Sequence, residues 1–133
     1  MSFARLVSAA VLAAGAFVAG PASAAEFRPF DRAAFTAAQA QGKPILVEVA
    51  AWWCPVCHSQ EGTVKRTVAA SDYDKLVVFK INYDRQKDEW KSFGVDKQGT
   101  LIGFHGTHEV GRIRFRTDKT EIANLLATTV HQG

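Results

Sequence analysis

The chain has 133 residues, 47% of them hydrophobic, with 16 basic and 13 acidic residues and a formal net charge of +3. That length allows one domain with a core of ordinary size. The basic residues are mostly dispersed among acids, which gives no patch for a nucleic acid.

From the N-terminus, Arg5 precedes an apolar stretch over residues 6–19, and Ala22-Ser23-Ala24 is a small-residue cleavage pattern. The stretch is short for a membrane span and has no stop-transfer flank. The expectation is a secretory signal over 1–24 and a domain over 25–133, released into the periplasm or secreted; a retained N-terminal anchor is the alternative. Without Arg5, 15 basic residues face 13 acidic ones, a net charge of +2.

Residues 27–30 read as an extended lead-in containing Pro29. Asp31 can cap a helix that runs to about residue 41 and ends at Gly42 and Pro44. Ile45-Leu46-Val47-Glu48-Val49 follows, β-branched at three of five positions, as a strand buried on both faces reads. The next helix extends to about residue 70, with Val64 and Val68 facing inward. A polar turn over 71–74 leads to a second buried strand, 76–81, which an intervening helix makes parallel to the first. A short helix over 86–93 ends at Gly94. Residues 100–104 and 110–115 form a hairpin joined by His105-Gly106-Thr107-His108-Glu109. Asp118 and Glu121 make a capping box for a last helix over 119–129, whose apolar stripe is Ile122, Leu125 and Leu126. The sum is an α/β chain with a central four-stranded mixed sheet and flanking helices. Arg112, Arg114 and Arg116 alternate with Ile113 and Phe115, as on an edge strand with a solvated Arg face; a docking patch for an acidic partner is the other reading.

The chemistry lies at the end of the first buried strand, in Cys54-Pro55-Val56-Cys57. The first turn of a helix leaves backbone N–H groups unpaired, and the helix dipole puts partial positive charge there. A thiolate at that end is stabilised and becomes a usable nucleophile near neutral pH. Pro55 fits the first helical position, where its missing N–H costs nothing. Cys57 is one turn on, within reach of Cys54, so the pair can close a small disulfide ring. These are the only two cysteines, and so small a ring removes little entropy from the unfolded chain. The spacing favours redox chemistry over a structural staple. Cys54 is expected exposed at the helix mouth as the nucleophile, with Cys57 the resolving thiol one turn inside. Glu48 is the only charge between Gln41 and Trp53 apart from Lys43. A buried carboxylate there must be paired or raised in pKa.

The run from Val47 to Cys57, Val-Glu-Val-Ala-Ala-Trp-Trp-Cys-Pro-Val-Cys, resembles the active-site strand and turn of the thioredoxin superfamily. The match includes the Trp directly before the first Cys and an acid six positions before it. Lys80-Ile81-Asn82-Tyr83-Asp84 resembles that family's next strand, and the resemblance spans roughly residues 31–130. It implies a thioredoxin-like fold and a thiol–disulfide oxidoreductase acting on disulfides of exported client proteins. It further implies a monomer without a cofactor, recharged by a membrane thiol donor if it acts as a reductant. By the same resemblance Glu48 takes the proton of the resolving Cys57, and Lys80 is its electrostatic partner. Trp53 forms an apolar shelf beside Cys54; Trp52 could equally be core. Pro55, Val56, Gln98 and Gly99 complete the client-binding surface.

Two departures stand out. Glu48 is longer than the family's Asp, and Gly99 stands where the family has a cis-proline that supports client pairing and keeps metals off the thiolates. Two rival readings follow. One is a metal-binding or metal-chaperone protein using both thiolates with His58 or His105. The other is c-type haem attachment at Cys54-x-x-Cys57-His58, with a distal ligand from His105, His108 or His131.

Overall fold

A computed structural model describes residues 15–16 and 24–132; the expected signal and its cleavage pattern lie, but for residues 15, 16 and 24, outside them. The elements in chain order are β1 (Glu26–Pro29), α1 (Arg32–Ala40), β2 (Pro44–Ala50), α2 (Pro55–Thr67), a 3-10 turn (Ser71–Tyr73), β3 (Val77–Asn82), α3 (Lys87–Ser92), β4 (Thr100–His105), β5 (His108–Arg114) and α4 (Lys119–His131). Local signals placed most of these. Asp31 caps α1 by accepting from the Ala34 N–H, and Asp118 caps α4 by accepting from the Glu121 N–H.

The sheet has five strands, not four, in the order β1-β3-β2-β4-β5. The added strand is the lead-in: Glu26–Pro29 pairs parallel to β3, from Glu26 opposite Val77 to Pro29 opposite Lys80. Every residue of β1 is exposed, so no apolar alternation announced it, and Pro29, which cannot donate, is tolerated on an edge strand. As expected, β3 runs parallel to β2 across the α2 crossover, whereas β4 and β5 form an antiparallel hairpin beside β2. The hairpin strands reach closer to the turn than the sequence suggests, because His105 pairs with His108 and only Gly106 and Thr107 remain between them.

The alternation of β2 explains what its single charge does. Ile45, Val47 and Val49 point to one face, where they pack with Phe30, Phe35, Phe79, Trp90 and Phe104 beneath α1 and α3. Leu46 points to the other, into a cluster with Val64 of α2, Val78 of β3 and Ile122 and Leu126 of α4. Glu48 has the parity of Leu46, so its side chain is driven under α2. All seven residues of β2 are buried, and Glu48 is 3% exposed.

Candidate active site

Sequence places the two cysteines where β2 hands over to α2, and the helix start makes the redox geometry. Cys54 is the N-cap of α2, Pro55 opens the helix, and Cys57 sits in its first turn. The Cys57 N–H donates to Cys54 Sγ at 3.1 Å, so a sulfur fills the role an oxygen plays in an ordinary cap. The same donor and the dipole of a 13-residue helix would favour a thiolate on Cys54. The two are joined as a disulfide, with Cα atoms 5.3 Å apart.

Cys54 is not the open group expected at the helix mouth. It is 1% exposed and Cys57 2%, because Ala50, Ala51, Val56 and Tyr83 pack around the disulfide. The exposed aromatics stand at its margin. Trp52 is 81% exposed and so is not core. Trp53 is half exposed, its Nε1 donating to Asp84 Oδ2 at 3.0 Å and its ring meeting Tyr83 edge-on. Asp84 is itself held by a turn in which Asn82 Oδ1 accepts from the Asp84 and Arg85 N–H groups. The sequence shows Asp84 only as the end of a strand-like run.

Gly99 follows a backbone path that a proline could not. Its φ is +76°, against about −65° for proline, and its N–H donates to Val49 O at 2.7 Å. A Cβ there would lie 2.9 Å from Phe115 Cδ2 and 3.2 Å from Val56 Cγ1. Gly99 therefore does not simply stand in for a proline; the loop is rebuilt around it. Phe115, expected as a strand residue, has left the strand with φ +51° and donates its N–H to Gly99 O. Gln60, 2% exposed, binds this loop to α2, its Nε2 donating to Gly99 O at 2.8 Å and Arg116 O at 2.9 Å. The sequence reading missed Gln60. The signal was present, since Gln60 and Val64 fall on the inward stripe of α2 that starts at Cys57.

A pocket of about 580 Å³ between β1, β3 and α2 reaches Glu48. Burial pushes the Glu48 carboxyl from 4.5 up to about 7, with the Glu61 carboxylate adding to the rise and Lys80 and Lys65 opposing it. Glu48 Oε1 has no hydrogen-bond partner among the described residues. Lys80 is the register neighbour of Glu48 on β3, but its ammonium is bonded elsewhere: Nζ meets Glu61 Oε1 at 2.5 Å. The expected Glu48–Lys80 pair is thus replaced by Lys80–Glu61, because α2 hangs a second acid over the same pocket.

The histidines do not gather at the cysteines. Thr100 pairs with Val49 near the disulfide and His105 with Pro44 at the far end of β2, about 17 Å of strand away. That removes His105 from any shared site with the thiolates. His58 Nε2 is within 2.7 Å of Trp52 O. Among the described residues, no three His, Cys, Asp or Glu side chains are grouped to hold a metal ion.

A mixed sheet with α1 and α3 on one face and α2 and α4 on the other, carrying a disulfide at the start of the helix after its central strand, defines a thioredoxin-like dithiol protein. The sequence profile of the thioredoxin family matches residues 26–128. Thioredoxin of Alicyclobacillus acidocaldarius is 32% identical over 85 residues, covering 64% of this chain and 80% of that one. Protein disulfide-isomerase erp38 of Neurospora crassa is 36% identical over 70 residues, 51% of this chain but 19% of that longer one. The crystal structure of Trxlp from Edwardsiella tarda superposes with a TM-score of 0.73 at 40% identity, covering 76% of this chain and 98% of that one. The chain belongs to the thioredoxin family, and it is a thiol–disulfide oxidoreductase.

Proposed function

We propose that the protein reduces or exchanges disulfides in exported client proteins through the Cys54-Pro55-Val56-Cys57 dithiol, as a monomer in the periplasm or outside the cell. The observation that carries this reading is the Cys54–Cys57 disulfide capping α2, at the end of the strand that buries the Glu48 carboxyl. In the reduced protein the Cys54 thiolate attacks one sulfur of a client disulfide, forming a mixed disulfide and expelling the other client thiolate. Cys57 gives its proton to Glu48, and its thiolate attacks the Cys54 sulfur. The mixed disulfide breaks, the second client thiolate leaves, and the Cys54–Cys57 bond closes. Two electrons have passed to the client, so a thiol donor, a membrane protein in this reading, restores the dithiol. Trp53, Pro55, Val56 and Gln98 form the surface on which the client rests, with Gly99 buried against Val56 and Phe115.

Trapping tests the assignment. Cys57→Ser should accumulate mixed disulfides with exported proteins, released by reductant, whereas Cys54→Ser should accumulate none. Equal trapping by the two variants would overturn the assignment, and trapping by Cys54→Ser alone would reverse the roles of the two thiols.

A further inference from the structure

Glu48 is faced by charged and titratable side chains from three elements. Lys80 comes from β3, Glu61, Lys65 and His58 from α2, and Arg28 from β1 across the pocket. By register Lys80 is the natural partner of Glu48, since residues opposite each other on neighbouring strands share a face. Glu61 changes that. It projects from the second turn of α2, mostly buried at 18% side-chain exposure, and takes the Lys80 ammonium at 2.5 Å. Burial raises the Glu48 carboxyl most, and Glu61 adds to that rise in two ways: it takes the ammonium of the register neighbour Lys80, and its own carboxylate repels a second negative charge in the pocket.

We infer that Glu61 is a positioning residue for disulfide exchange, holding the Lys80 ammonium against α2 and away from the Glu48 carboxyl. The Glu48 proton has a use when the disulfide opens. A donor thiolate attacks the Cys54 sulfur, the Cys54–Cys57 bond breaks, and its electron pair leaves on the Cys57 sulfur. Glu48 delivers its proton there, leaving a Cys57 thiol and a Glu48 carboxylate. The carboxylate is then the base that takes the proton back when Cys57 resolves a client mixed disulfide. The inference rests on the proton-relay role given to Glu48 above. Its first measurement does not, because a closed disulfide does not titrate and the Glu48 carboxyl can be followed alone.

The experiment is a carboxyl-carbon NMR titration of Glu48 in the disulfide form, for wild type, Glu61→Gln, Lys80→Met and Glu109→Gln. Glu61→Gln should lower the midpoint by about half a unit to one unit, the partly exposed ion pair keeping the shift modest. Lys80→Met should raise it, and Glu109→Gln, an acid on β5 remote from the pocket, should leave it unmoved. The rate of disulfide opening by dithiothreitol, expressed per dithiothreitol thiolate, should fall off at high pH with the same midpoint. Near pH 7 the Glu61→Gln variant should then open about two- to fivefold more slowly. An unmoved midpoint in Glu61→Gln would overturn the positioning role. A midpoint that moves without the rate would overturn the link to exchange. Client trapping by Cys57→Ser tests the oxidoreductase reading separately and is indifferent to both results.

Discussion

Replacing Glu48 by Gln should make the disulfide form more stable, by an amount that depends on pH in a defined way. The carboxyl has a pKa of 4.5 when free and about 7 in the fold, so the folded protein holds its proton more tightly than the unfolded chain. Stability from this group is therefore complete below about pH 4.5 and is lost as pH rises through about 7. The loss corresponds to about 2.5 units at 1.36 kcal/mol each, about 3 kcal/mol. Gln keeps the size and has no charge to desolvate. Urea unfolding of the two disulfide forms should give nearly equal stabilities near pH 4.5, a gap widening through pH 6, and a plateau of about 3 kcal/mol in favour of the variant by pH 8. A gap that is constant with pH, or one that favours wild type at pH 8, would refute the picture of a carboxyl raised by burial. Exchange should respond oppositely: the more stable variant should resolve mixed disulfides more slowly.

Two further substitutions probe the loop facing the disulfide. Gln60→Leu removes both donors to Gly99 O and Arg116 O; Gly99 O keeps the Phe115 N–H, so the cost should be about 1–2 kcal/mol in chemical denaturation, and a change under about 0.5 kcal/mol would mean that the clamp contributes little. Gly99→Pro removes the donor to Val49 O and cannot reach φ +76°, so it should cost at least about 2 kcal/mol. A Gly99→Pro protein unfolding at the wild-type urea concentration would show that the loop can be rebuilt around a proline.

Much of this molecule is decided locally. The β-branched run at Ile45 to Val49, the caps at Asp31 and Asp118, and the Cys-Pro-Val-Cys turn each specify their own element, because propensity, periodicity and capping act within a few residues. The same short range makes the disulfide legible, since both sulfurs belong to one helical turn. The carboxyl of Glu48 is legible as well: a lone acid in a run buried on both faces has to be raised or paired. Which of the two happens is not a local matter. The partner expected from the strand, Lys80, is taken by Glu61, a residue 19 positions away in sequence and brought over the pocket by the packing of α2 on the sheet. The edge strand β1 escapes sequence reading for a similar reason. Its residues are all exposed, and only the free edge of β3, formed 51 residues later, makes it a strand. The burial of Cys54 and the rebuilt loop at Gly99 are tertiary too. Val56, Gln60, Gly99 and Phe115 meet there from α2, the start of β4 and the end of β5, and such contacts exist only after long loops have closed.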